Sequence, residues 1–261
     1  MFCIVNQILA PLREGNAETS EMVSQLLFGE MALVLEKRGN RLKISNCADG
    51  YEGWIDRRMV EMIDENETIH LSQQPEKTVC TAYALAKNKD NVAEKVIFPG
   101  GAIIRSVEGE NGFKFQNSYY VFEKETDLAD SMKPEGEIVL DLAKQYLHAP
   151  YLWGGKSIFG IDCSGLVQIV FSICGIRLPR DASQQVDKGA IVNFLSEARA
   201  GDLAFFEDRV GKIVHVGILV DNHRIIHASG RVKIDRIDNE GIYSSEKQDY
   251  SHRLRLVKRI L

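Results

Sequence analysis

Cys163 stands in the stretch Ile161-Asp-Cys-Ser-Gly-Leu-Val-Gln-Ile-Val-Phe-Ser-Ile-Cys174, between an acidic residue and an apolar run. Leu166, Val167, Ile169, Val170 and Ile173 recur at helical spacing. The spacing predicts a helix that opens at Cys163, with Asp162 as its N-cap, and closes before Gly175. A thiol in the first turn of a helix meets unpaired backbone N–H groups and the positive end of the dipole, and both favour thiolate. Gly165 keeps that turn slim, so that other groups can approach closely. Cys174 falls at the far end on the apolar face, where burial favours the neutral thiol. Cys163 is therefore the candidate nucleophile.

A thiol nucleophile needs a base within reach, and the base needs an orienting group. Of the six histidines, His70 and His252 sit in polar surroundings, His148 ends a helical stretch before Pro150, and His223 lies in the turn Asp221-Asn-His-Arg. His215 and His227 instead interrupt apolar, strand-like runs, Ile213-Val-His-Val-Gly-Ile and Ile225-Ile-His-Ala-Ser. On adjacent strands they share a face only if the loop between them holds an odd number of residues. With Asp221-Asn222-His223 as that loop, residue 217 lies opposite residue 227 and His215 is diagonal to His227, with Gly217 leaving room beside them. No CxxC pair occurs, and no carboxylate or cysteine stands at metal spacing from these histidines. Neither metal nor other cofactor is expected.

The elements that must position these residues change in character along the chain. Residues 1–66 read as short strands: Phe2–Leu9, Met31–Glu36, Leu42–Ser45 and the glycine-flanked Gly50-Tyr-Glu-Gly-Trp-Ile, the pattern of a small barrel. Asp64-Glu-Asn-Glu-Thr reads as a polar link. Residues 67–128 give further strand-like pieces, Thr78–Ala86, Lys95–Phe98, Ala102–Val107 and Ser118–Phe122, with turns at Pro99-Gly-Gly and Glu110-Asn-Gly. Residues 129–261 form a third region, entered through a charged linker, Thr126–Gly136, that overlaps its start. There, Ile138, Leu142, Ala143, Tyr146 and Leu147 predict a helix, the Cys163 helix follows, and then come strands at 202–206, 212–220, 224–228 and 254–260. Helices first and strands afterwards argue for an α+β fold.

Composition narrows the class. The 261 residues are 44% hydrophobic and 26% charged, with a formal net charge of −5. That balance gives no reason to expect nucleic acid or anionic membrane as a partner. No apolar stretch approaches the roughly 20 residues that span a bilayer. The first residues, Met1-Phe-Cys-Ile-Val-Asn, lack the basic start of a secretory signal. Five cysteines without framework spacing suit a reduced, cytoplasmic protein. A monomer is expected.

Taken in order, Tyr151-x-Trp-Gly-Gly, Asp162-Cys-Ser-Gly-Leu-Val, Gly201-Asp-Leu-Ala-Phe-Phe, His215-Val-Gly-Ile and His227-Ala-Ser resemble the NlpC/P60 cysteine peptidases over about residues 136–261. The resemblance implies a papain-like α+β core with Cys163 as nucleophile, His215 as base and His227 as the residue that orients it. The first 125 residues resemble bacterial SH3-like domains. Ser20–Glu30 with Gly50-Tyr-Glu-Gly-Trp54 is similar to the first such domain of peptidases of the dipeptidyl-peptidase VI type (the YkfC group).

That type cuts the γ-D-glutamyl–L-diamino acid bond of cell-wall peptides with a free N-terminal L-Ala. The resemblance implies that Glu30, Tyr51 and Asp181 hold the L-Ala ammonium. It further implies that Tyr151, Trp153, Asp162 and Ser164 line the cleft, and that Ser183 or its neighbour Ala182 meets the substrate carboxylate. The expected substrate is a free murein-derived peptide, and the expected role is cell-wall peptide recycling. The alternative is a broader hydrolase of intact peptidoglycan that uses the SH3-like domains to bind the wall. A non-catalytic peptide-binding protein is the reading from another class, and the complete Cys163, His215 and His227 set opposes it.

Overall fold

The computed structural model describes residues 1–105, 112–124, 127–130, 132–245 and 248–261. The chain divides into two compact units, Met1–Met132 and Lys133–Leu261.

The first unit begins with a seven-stranded antiparallel sheet. Its spatial order is Met22–Leu27, Leu9–Arg13, Glu52–Asp56, Arg41–Asn46, Met31–Arg38, Phe2–Val5 and Val60–Ile63. Side chains alternate as the period of two demands: in Arg41–Asn46 every second residue is buried. Cys3, Val5, Leu12, Leu26, Leu42, Ile44 and Ile55 fill the core. The apolar start of the chain is two strands rather than one, and Pro11 lies within the second.

A helix, Glu65–Gln73, follows where a polar link is expected. Asp64 Oδ1 accepts from the Glu67 N–H at 2.8 Å, and Glu67 Oε2 accepts from the Asp64 N–H at 2.9 Å. This reciprocal capping box is written in the sequence as Asp-x-x-Glu. Two further sheets complete the unit. One has four strands in the order Lys95–Pro99, Tyr83–Asn88, Ser118–Phe122 and Gly112–Phe115. The other has three, Ile103–Arg105, Glu76–Val79 and Leu128–Ala129. The expected single strand over 78–86 is thus split between two sheets. The expected turn at Glu110-Asn111, the end of the strand reaching Val107, and residues 126 and 131 of the linker lie outside the described residues. Phe98, Phe113, Phe115 and Phe122 form an aromatic core, and Phe28 packs into it with ring centroids 5.2 Å from Phe98 and 5.5 Å from Phe115. Gly29, at φ 78°, permits this: an added Cβ would lie 2.1 Å from the Ile103 carbonyl oxygen.

The second unit is α+β, as expected. Its helices are Gly136–Lys144, Cys163–Ile173 and the short Ala182–Gln185. The first ends earlier than the apolar spacing predicts, and His148 adopts a left-handed φ of 71° and donates its backbone N–H to the Val232 carbonyl. Six antiparallel strands then run in chain order: Leu203–Glu207, Ile213–Leu219, Arg224–Ser229, Arg231–Ile237, Gly241–Ser244 and Asp249–Arg259. The last pairs with both its predecessor and the first, so the six close into a ring. Ala190–Val192 adds to the far half of the last strand. Ala204, Phe206, Leu219, Ile225, Ile237, Ile242 and Val257 pack together as a core. No helix among the described residues is long and apolar enough to cross a membrane.

Candidate active site

The Cys163 helix starts where its cap predicts. Asp162 Oδ1 accepts from the Gly165 N–H at 2.7 Å, and Oδ2 accepts from the Gly154 N–H at 2.8 Å. The same carboxylate meets Arg180 through two bonds, Nη1 to Oδ1 at 3.0 Å and Nη2 to Oδ2 at 2.5 Å, and Arg180 Nη1 also donates to Ser164 Oγ at 2.9 Å. Arg180 and Asp162 are both buried. A charge-assisted fork of this kind fixes geometry in two directions at once. Gly165 is needed because the Gly155 backbone crosses the first turn: an added Cβ would lie 2.2 Å from its carbonyl oxygen. At the other end Cys174 is the C-cap and Gly175, at φ 77°, terminates the helix.

The thiol differs from the sequence-based expectation. Burial, and then the Asp162 charge, push the Cys163 thiol up to about 11. The Val216 and Ser164 backbone N–H groups and Arg180 pull it down, but by less. The helix N-terminus acts in the predicted direction and is outweighed. The Val216 amide also locates the sulfur, against the His215 strand and one residue along from His215.

The histidine hairpin has the predicted register. Ile218 faces Ile226 and Leu219 faces Ile225, which sets residue 217 opposite residue 227. The Val220 N–H donates to the Arg224 carbonyl across the loop 221–223. His215 Nε2 and His227 Nδ1 are 2.9 Å apart, and both rings are buried. Burial, with His252 and His227 close by, holds His215 well below its ordinary value. Burial also lowers His227, while Asp235, with its Oδ2 3.1 Å from Nε2, acts in the opposite sense. Both imidazoles are accordingly neutral at physiological pH. With Nε2 of His215 engaged by His227, Nδ1 is its other ring nitrogen.

A third imidazole joins them. The His252 ring stacks on that of His215 with centroids 4.0 Å apart and planes 23° apart. Ring nitrogens of His215, His227 and His252 lie within 4.8 Å of one another. Metal-bound imidazoles direct their lone pairs at the ion. The stacked His215 and His252 rings direct theirs along separate planes, and His227 stands at 85° to both, so the trio suits ring packing better than coordination.

Tyr151 bridges to Ile161, two residues ahead of Cys163 in the chain. Burial, then the proximity of Cys163 and Asp162, push its hydroxyl up to about 12, which leaves it a donor. Trp153 is exposed. Asp162 and Ser164 are buried, Ser164 Oγ donates to Asp162 Oδ1 at 3.3 Å, and both meet Arg180. Asp181 is the N-cap residue of Ala182–Gln185; Ala182 is buried and Ser183 exposed. In the first unit, Glu30 is buried and its Oε2 accepts from the Leu27 N–H at 2.9 Å, while Tyr51 packs partly against the core of the large sheet. Sequence reasoning missed Arg180, Asp235 and His252. The alternation in Arg231-Val-Lys-Ile-Asp-Arg-Ile was the available signal for the strand that carries Asp235.

Comparison with known proteins bears on the family and the fold. The NlpC/P60 family model matches residues 148–250, and the bacterial dipeptidyl-peptidase SH3 domain model matches residues 12–58. The γ-D-glutamyl-L-lysine dipeptidyl-peptidase of Bacillus subtilis is 29% identical over 229 residues, covering 83% of this chain and 75% of that protein. A probable endopeptidase of Haemophilus influenzae is 31% identical over 138 residues, covering 52% of this chain and 80% of that protein. The crystal structure of an NlpC/P60 family protein from Bacillus cereus superimposes over 100% of both chains with a TM-score of 0.85 at 18% identity, a likeness of fold. On these matches, and on the thiol and imidazole arrangement they accompany, the chain belongs to the NlpC/P60 family of cysteine peptidases.

Proposed function

We propose that this chain hydrolyses the γ-D-Glu–L-diamino acid bond of free murein peptides with an unblocked N-terminal L-Ala, releasing L-Ala-γ-D-Glu. The observation that carries the reading is the 2.9 Å contact between His215 Nε2 and His227 Nδ1, with the Cys163 sulfur against the next backbone amide of the same strand. The name of the Bacillus subtilis relative supports the substrate class.

Cys163 attacks the γ-carbonyl carbon of D-Glu as its proton passes to Nδ1 of His215. The Cys163 backbone N–H, at the helix start, and the Tyr151 hydroxyl stabilise the oxyanion. His215 returns the proton to the departing amine, then takes one from the water that cleaves the thioester. His227 holds the orientation of His215 throughout, as the third member does in other triads. The exposed Trp153 packs against the L-Ala methyl. Asp181 accepts from the ammonium, and Ser183 rather than buried Ala182 meets the substrate carboxylate.

A free ammonium carries a charge and three donors that a carboxylate such as Asp181 favours, and an amidated nitrogen keeps neither, which discriminates against intact wall stems. We place the enzyme in cytoplasmic peptide recycling, a reading supported by five cysteines that are all free thiols.

The test is mass spectrometry of products from L-Ala-γ-D-Glu-L-Lys, its meso-diaminopimelate counterpart and the N-acetylated forms, wild type beside Cys163→Ala. Cleavage of the free peptides by wild type alone is expected. Equal cleavage of the acetylated peptides favours the broader wall hydrolase instead.

A further inference from the structure

We infer that Asp235 is the positioning residue that sets the tautomers of the His215–His227 pair, and so decides which nitrogen of His215 is free to take the thiol proton. The inference rests on the catalytic roles proposed above for Cys163, His215 and His227.

Asp235 Oδ2 lies 3.1 Å from His227 Nε2 and 3.1 Å from Lys233 Nζ. An ionised carboxylate only accepts. The His227 nitrogen facing it must carry a proton. His227 is buried and neutral, so its Nδ1 is then bare and accepts from His215 Nε2–H across the 2.9 Å contact. His215, neutral in turn, has its lone pair on Nδ1. One carboxylate thus fixes two rings in series, and the base reaches the thiol with the correct nitrogen unprotonated.

Lys233 completes the logic. Its ammonium shares Oδ2 and offsets the carboxylate charge, which would otherwise favour an imidazolium at His227. An imidazolium would donate from both nitrogens and reverse the bond to His215.

The placement follows from register. His227 faces Lys233 directly, and Ile225 faces Asp235, so Asp235 is diagonal to His227 on the same face. His215 is diagonal to His227 by the same offset on the other side. Without Asp235, nothing in this chain of bonds forbids the alternative in which His227 donates from Nδ1, His215 carries its proton on Nδ1, and the thiol meets an N–H.

The experiment is ¹⁵N NMR of the imidazole nitrogens in the Cys163→Ala protein, with and without Asp235→Ala, alongside kcat and KM of Asp235→Ala in the otherwise native enzyme. The expected result is a protonated Nε2 on both His227 and His215 in the parent. In the variant the two tautomers mix or exchange, kcat falls by about 10²–10⁴-fold and KM stays within a few-fold, as in triads whose base is held in the wrong tautomer. Should Asp235→Ala not fold, Asp235→Leu and Asp235→Asn are read by the same signals. A parent in which His227 Nε2 is bare, or a variant with unchanged tautomers and undiminished kcat, overturns the inference. The resonance measurement needs no substrate, so a parent with the expected tautomers but no peptidase activity in the wild type sinks the proposed function and leaves this assignment standing.

Discussion

Nε2 of His215 and Nδ1 of His227 lie 2.9 Å apart although neither residue faces the other across the strand pair. The partner of His227 in the register is Gly217. A side chain there would stand between the two rings' backbones: an added Cβ would lie 2.9 Å from His227 Cβ and 2.7 Å from Ile225 Cδ1. The diagonal contact exists because the direct position holds no side chain.

Gly217→Ala therefore tests the contact without touching either imidazole. It is expected to lower kcat more than it raises KM, and to cost about 1–3 kcal/mol of stability from overpacking. Steady-state kinetics and denaturant midpoints measure both. Unchanged kcat would mean that the diagonal contact does not matter to turnover.

The pH profile follows from the sign of the His215 shift. His215, the proposed base, is active when neutral, hence above its own pKa, and burial places that pKa well below 6.5. The acid limb of kcat/KM is expected below pH 6.5, and the profile stays level from there through about pH 8, the window in which an ordinary histidine would titrate. A midpoint near 6.5 would show that the ring is more solvated than its burial implies.

The unliganded thiol is expected to be poorly nucleophilic at neutral pH. Its pKa is raised to about 11, so the protonated form dominates below that value and the thiolate appears only as pH climbs through it. Iodoacetamide inactivation of the free enzyme should accelerate steadily with pH beyond 9 rather than level off near 7. A plateau near neutrality would demonstrate a resting thiolate–imidazolium pair.

Arg180→Met leaves the Asp162 carboxylate buried without its partner. The expected loss is about 3–5 kcal/mol. Adding Asp162→Asn should restore part of it, because the surviving amide carries no charge while its oxygen can still cap the helix. Chemical denaturation of the two variants decides the matter. A single variant within 1 kcal/mol of the parent would show that the fork contributes little.

The start of the Cys163 helix was legible because its determinants are local: Asp162 caps three residues ahead, and Gly175 ends it. The hairpin was legible through parity, since an odd loop between two period-two runs admits only one shared face. The Arg180–Asp162 fork spans 18 positions with no repeating pattern to reveal it. The thiol's ionisation is not legible for a related reason. The helix terminus is visible along the chain, but the burial that outweighs it comes from packing. The Glu65–Gln73 helix and the Asp235 strand are different, for the capping box and the alternation are both local signals present in the sequence.

The ring of six strands has a consequence for how the enzyme is made. Its closing strand, Asp249–Arg259, supplies both the seam with Leu203–Glu207 and the ring stacked on His215. Until those residues emerge during synthesis, two unpaired edges stay open, each a template for another chain. Closure then abolishes both edges in one step, so protection from aggregation and completion of the histidine cluster arrive together.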